Sequence, residues 1–189
     1  MSVGRPRRAP QTPSGSRQQW GWHQLTDGWA RRLVASADIR PGDLVVDIGA
    51  GSGAVTAPLV AAGAKVLAVE LHPGRARELR RRFAEDPVRV LQVDASDLRL
   101  PTRPFRVVAN PPFAITTAVL KRLLGPGSRL QSAHLVVPAH VAARWSSGRG
   151  TAADRWQRAF AARHGGPVPV GAFVPHPPRP AAVLRLERW

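Results

Sequence analysis

The run Leu44-Val45-Val46-Asp47-Ile48, followed at once by Gly49-Ala50-Gly51-Ser52-Gly53, constrains this chain more than any other feature. An apolar run this short, bounded by glycines, reads as a strand buried on both faces. The glycines behind it let the backbone turn sharply into a helix and leave its amides open to a ligand. A helical stretch to about Ala62 and a second apolar run, Lys65 to Glu70, complete a β-α-β unit. Ahead of it, the spacing Leu25, Trp29, Leu33 predicts a helix. Beyond it, the pattern predicts strands at 88–93, 105–110, 133–138, 168–173 and 181–187. Helices are expected at 73–83, 115–124, 139–146 and 151–163, and the last two strands are expected to pair as an antiparallel edge. The expected fold class is α/β: a Rossmann-like, open, mostly parallel sheet of seven strands with helices on both faces.

Acids stand at the ends of the first three strands of that sheet: Asp47, Glu70 and Asp94. Ligands of open α/β sheets bind at these carboxyl ends. Gly49-x-Gly51-x-x-Ala54, with Glu70 about twenty residues on, also satisfies the dinucleotide fingerprint. Asp47 tips the reading, because a carboxylate there attracts an ammonium group and repels a pyrophosphate. Glu70 then suits ribose hydroxyls, Leu71 the adenine face, and Asp94, with Ala95 beside it, the adenine amino group. Together with Gly49 and Gly51, these residues divide among the parts of S-adenosylmethionine, the expected cofactor.

The fourth strand ends in Asn110-Pro111-Pro112-Phe113. A ring-conjugated amine is a poor nucleophile, and it improves when its hydrogens are held by the Asn110 side-chain oxygen and the Pro111 carbonyl. Proline lacks an N–H, so the turn is stiff and presents acceptors. Phe113 offers a face on which an extruded base can stack. Asn110, Pro111 and Phe113 are therefore the expected catalytic group, with Asn110 also at the cofactor.

The formal charge of +16 is unevenly placed: residues 1–37 carry +5, residues 38–97 carry −1 and residues 98–189 carry +12. A near-neutral middle that holds the cofactor motifs between basic flanks suits a small-molecule pocket beside a polyanion-facing surface. Residues 1–18 are too polar to order themselves and form an expected disordered basic arm, with Arg5, Arg7, Arg8 and Arg17. Residues 19–189 form the expected catalytic domain. Arg103, Arg106, Lys121 and Arg122, with Arg129, are expected around the target turn as RNA contacts. Trp20, Trp22 and Trp29 are candidates for stacking on unpaired bases or for packing the first helix, whereas Trp145 and Trp156 read as core. The chain has no Cys, and its six His show none of the close pairings of a zinc site, so no metal is expected. No apolar run reaches membrane-spanning length and no signal-like segment is present; a cytoplasmic monomer without a membrane partner is expected.

These residues resemble S-adenosylmethionine-dependent adenine-N6 rRNA methyltransferases, most closely the erythromycin-resistance (Erm-type) group that acts on 23S ribosomal RNA. The resemblance covers roughly residues 19–188 and rests on VVDIGAGSGAVT (45–56), VLAVELHP (66–73), VLQVDASDL (90–98), VANPPF (108–113) and FVPHPP with AAVLRLER (173–188). It implies N6-methylation, once or twice, of a 23S rRNA adenine, with macrolide-lincosamide-streptogramin B resistance as the outcome. It also implies that Asp47, Gly49 and Gly51 line the methionine end, Glu70 the ribose, Asp94 the adenine, and Asn110 with Phe113 the target base. Three departures stand out. Gly21-Trp22-His23-Gln24 replaces the family's Ser-Gln-Asn-Phe-like segment. Pro111 stands where Ile, Leu or Val is common, and NPPF is shared with DNA-adenine and protein-glutamine methyltransferases. The sequence ends after the last expected sheet strand, so a separate C-terminal RNA-binding domain is expected to be absent. The alternatives are methylation of DNA adenine or protein glutamine, and a non-catalytic rRNA-binding or assembly factor.

Overall fold

The computed structural model describes residues 23–147 and 156–189. The elements are β1 (Gln24–Leu25), α1 (Asp27–Ala35), β2 (Leu44–Ile48), α2 (Thr56–Ala61), β3 (Lys65–Val69), α3 (Pro73–Arg82) and β4 (Val88–Leu91). Then come β5 (Phe105–Ala109), α4 (Thr116–Leu123), β6 (Leu130–Pro138), α5 (Ala139–Ser146), β7 (Phe160–Val168), β8 (Phe173–Val174) and β9 (Ala181–Arg188). Seven strands form one sheet in the order β4-β3-β2-β5-β6-β9-β7, and β1 pairs separately with β8. Neighbours are parallel except that β9 runs antiparallel to both β6 and β7. The expected fold class is the one observed.

The chain runs outward from β2 to β4 and then returns to β5 on the other side of β2. Loops leaving β2 and β5 therefore diverge to opposite sides, opening a crevice at their carboxyl ends. Alternation along the strands feeds two cores. Val45, Val66, Val108 and Val136 face the side covered by α1 to α3, while Val46, Val107, Leu135 and Val137 face α4 and α5. In α3, Pro73 supplies a pre-set first-turn φ, and the His72 ring accepts the Arg75 N–H.

Gly53 has φ +91°, and a Cβ on it would lie 2.6 Å from Cε2 of Phe83. Gly53→Ala is expected to cost about 2–4 kcal/mol, from left-handed strain plus overpacking. Calorimetry should register this as a melting temperature lower by roughly 5–15 °C.

Two expected elements are corrected. Residues 151–155 of the expected 151–163 helix lie outside the described residues. Trp156–Arg158 form a short 3₁₀ turn and Phe160 onward belongs to β7. The Ala-rich segment has helical propensity, but pairing with β9 from Phe160↔Arg188 to Val168↔Ala181 overrides it. Second, of the expected 168–173 strand only Val168 and Phe173 belong to strands, because Val170–Ala172 make a 3₁₀ turn between β7 and β8. The antiparallel partner of β9 thus lies upstream, and β9 is flanked on both sides rather than forming an edge. Trp145 and Trp156 pack ring to ring at 5.3 Å in one core cluster. Trp29 is partly buried against the other, under Arg32.

Candidate active site

A cavity of about 250 Å³ opens in the crevice at the carboxyl ends of the strands. The strand-end acids enter it in different electrostatic states. Asp47 is buried at the end of β2 and accepts the Thr56 hydroxyl at 2.7 Å. Burial pushes its pKa up to about 7; the Thr56 hydrogen bond opposes this and the nearby Glu70 charge adds to it. A group so placed gains from a cation, whose charge would restore the ionised form. Glu70, also buried, accepts the Gly51 N–H on Oε2 at 2.9 Å and the His72 N–H on Oε1 at 2.7 Å. Its carboxylate is fixed at the turn by backbone donors. Asp94 is more open, and the Ser96 N–H, then the Ser96 hydroxyl, hold its carboxyl below the usual carboxylate range.

The target turn is braced from beneath and from the side. Gly49 has φ +75°, and a Cβ there would lie 2.8 Å from Pro112 Cδ. The hydrogen on this glycine thus makes room for the Asn-Pro-Pro turn itself, a role not visible in the glycine spacing. The Asn110 side-chain amide donates to the His23 carbonyl at 2.6 Å. That bond assigns the amide orientation and leaves Oδ1 as the acceptor Asn110 can present. Phe113 lies between two rings, His23 at 6.1 Å and Phe173 at 6.4 Å edge-on. His23 Nδ1 lies 3.2 Å from the Pro175 carbonyl, and Ser52 donates to Gln24 at 2.6 Å. The β1–β8 pairing, Gln24↔Val174 and Leu25↔Phe173, secures this segment as a third wall.

Of the residues expected to bind the cofactor, Asp47, Gly49, Glu70, Leu71, Asp94, Ala95 and Asn110 line the cavity, as do Pro111 and Phe113. Gly51 does not; its N–H holds Glu70 instead. Sequence reasoning missed the His23-Gln24-Leu25 wall and Val93. Leu71 and Val93 are exposed large hydrophobics at the cavity, 41% and 37% accessible. An apolar pair beside fixed carboxylates fits a nucleoside whose ring is sandwiched and whose hydroxyls and amino groups are bound at its edge. The donor set therefore fits S-adenosylmethionine, cation included.

None of the basic residues expected around the target turn lines the cavity. Arg106, near the start of β5, pairs with Asp43 at 3.0 Å and donates to Ser132 at 2.9 Å. Arg103 lines a groove with residues from the starts of β2, β3 and β4. Arg122 donates to the Leu98 carbonyl at 2.8 Å, in the last turn of α4 with Lys121. Arg103 and Arg106 are close to the turn in sequence, but the five residues of β5 carry the chain about 17 Å across the sheet. Arg5, Arg7, Arg8, Arg17, Trp20 and Trp22 lie outside the described residues. Among the described residues no cluster of His, Asp and Glu could hold a metal ion, and no helix is long and apolar enough to cross a membrane.

Residues 16–188 match the sequence profile of the family described as ribosomal RNA adenine dimethylase. A ribosomal RNA small subunit methyltransferase A of Synechococcus sp. (strain RCC307) is 36% identical over 91% of this chain and 69% of its own length. The mycinamicin-resistance protein MyrB of Micromonospora griseorubida is 35% identical over 94% of this chain and 58% of its own length. Among solved structures, the 23S rRNA methyltransferase ErmE superposes with a TM-score of 0.80 at 26% identity, covering 87% of this chain and 69% of that one. The chain spans about two thirds, or less, of the length of most curated relatives it matches.

Proposed function

From a chain that belongs to the ribosomal RNA adenine dimethylase family, we propose an enzyme that methylates the N6 of an adenine in rRNA, once or twice, using S-adenosylmethionine. The observation that carries the proposal is the convergence of Asp47, Glu70, Asp94 and the Asn110 turn on one cavity. When bound, S-adenosylmethionine supplies the electrophilic methyl group. Asp47 would meet the ammonium at its methionine end, Glu70 the ribose and Asp94 the adenine amine. Asn110 Oδ1 and the Pro111 carbonyl accept the two N–H bonds of the target amine and aim its lone pair. As nitrogen gains its fourth bond, the same two oxygens stabilise the growing positive charge. The extra proton then passes to water. Phe113 is the stacking platform, and flipping costs least for an unpaired adenine, so a loop is the expected target.

The finer assignment we propose is 23S rRNA, with macrolide-lincosamide-streptogramin B resistance as the consequence. The ErmE likeness and the similarity to a mycinamicin-resistance protein support it. The small-subunit methyltransferases among the relatives favour a second reading, an adenine of the small-subunit rRNA. Labelled S-adenosylmethionine, incubated separately with 23S rRNA, 16S rRNA, duplex DNA and ribosomal protein, decides. Label recovered as N6-methylated adenosine from 23S rRNA is expected. Label in 16S rRNA alone would establish the second reading, and label only in DNA or protein would overturn both. RNA binding without transfer to any substrate would leave a non-catalytic factor.

A further inference from the structure

A second cavity, of about 300 Å³, lies on the sheet face covered by α1, with Leu25 a wall common to both cavities. Trp29, Arg32 and Ser36 form its α1 side, and Arg185 on β9 belongs to its floor. Register places His134 of β6, Arg185 of β9 and Arg163 of β7 in one row across three neighbouring strands. Side chains directly opposite on adjacent strands share a face, and like charges so placed repel. Nothing acidic lines this cavity, and Arg185 Nε is buried without a hydrogen-bond partner. Neither Arg185 nor Arg163 forms an ion pair among the described residues.

The neighbours sharpen the site. The Arg32 guanidinium rests 4.8 Å from the centroid of the Trp29 ring. His134 lies 3.1 Å from the Ser36 hydroxyl, and burial, with the charges of Arg185 and Arg106, pushes its pKa down to about 4. The ring is neutral at physiological pH and relieves none of the repulsion. At Gly165 a Cβ would fall 2.9 Å from Arg185 Nε, so a side chain there would crowd the guanidinium. Arg32 and Arg163 are exposed, but the buried Arg185 Nε is a cationic donor without a counter-charge, which is costly, and an anion completes it.

We propose that this cavity binds a phosphate group, held by Arg185 and Arg32 of its lining beside the Trp29 ring and by the exposed Arg163 next to Arg185 in register. Guanidinium forks match phosphate oxygens pairwise. Phosphate recognition stands on this geometry alone; assigning the phosphate to the RNA backbone rests on the proposed function. RNA bound here would engage α1, which follows the β1 wall beside Asn110.

The test uses the full chain with Arg185→Gln and Arg163→Glu. Inorganic phosphate at about ten times its dissociation constant should raise the wild-type melting temperature by roughly 3–6 °C and leave both variants unmoved. In phosphate-free buffer Arg163→Glu should melt above wild type, since repulsion becomes attraction; this separates lost binding from lost folding. Equal phosphate shifts in all three proteins would overturn the site. In a second arm, binding of an RNA stem-loop is followed against salt, and Arg185→Gln should flatten the log-log slope by about one. An unchanged slope, with the phosphate shift lost, would overturn the RNA assignment and point to a free phosphorylated ligand. Failure of methyl transfer with both arms positive would sink the proposed reaction and leave this site standing.

Discussion

Asn110→Ala is expected to lower methyl transfer to RNA by about 10²–10³-fold, the size seen when one pre-aimed polar partner of a transition state is removed. Binding of S-adenosylmethionine should change only a few-fold, because Glu70, Asp94 and Asp47 are held by Gly51, His72, Ser96 and Thr56 rather than by Asn110. Single-turnover transfer and calorimetric cofactor titration on the same preparation separate the two effects. The substitution also releases the His23 carbonyl. Asn110→Asp keeps an acceptor but sets a carboxylate oxygen against that carbonyl, so it should restore little of the rate. Full activity in either variant would remove Asn110 from the reaction.

Asp47→Asn should split stability from function in opposite directions. Burial, the largest influence, raises the folded-state pKa of Asp47 to about 7 from an ordinary value of 3.8. The folded state therefore holds this proton more tightly than the unfolded chain does. Its favourable contribution is complete below the unfolded value, is lost as pH rises from about 4 to 7, and is absent above. Asparagine escapes that loss while still accepting the Thr56 hydroxyl. At pH 8 the variant should be more stable than wild type by on the order of 2–4 kcal/mol, with the gap closing toward pH 4. Melting curves across that range check the sign. Cofactor affinity should move the other way, falling at least tenfold with loss of the anion proposed to meet the ammonium. In wild type the affinity should weaken as pH drops below about 7, and in Asp47→Asn it should be flat. A variant that binds cofactor normally would show that Asp47 is a packing residue.

The cavity wall made by the strand-end acids was legible because its signals are local. Asp47, Glu70 and Asp94 each follow an apolar strand, and parallel strands deliver consecutive carboxyl ends to one edge. The opposite wall was illegible for an equally physical reason. His23 acts on Asn110 through a backbone carbonyl, which carries no residue signature, and it reaches the site through a pairing with Val174 and Phe173 far along the chain. The basic residues after position 98 show where proximity in sequence misleads. Arg106 is four residues from Asn110, yet its guanidinium is spent on Asp43 and Ser132 at the other end of the strand. Likewise the alanines of residues 159–162 favour helix locally, while the demand of β9 for a second partner is a property of the whole sheet.

The clasp between β1 and β8 also has a consequence in time. Leu25 leaves a translating ribosome roughly 150 residues before its partner Phe173, a delay on the order of 10 s at ordinary elongation rates. Until then the glycine turn and the strand-end acids can assemble, but the β1 segment beside Asn110 has nothing to pair with. Under the proposed function, the residues proposed for the cofactor would be in place well before those proposed for the target base are braced, so that methylation of the RNA that is making the chain would be disfavoured by the order of synthesis alone.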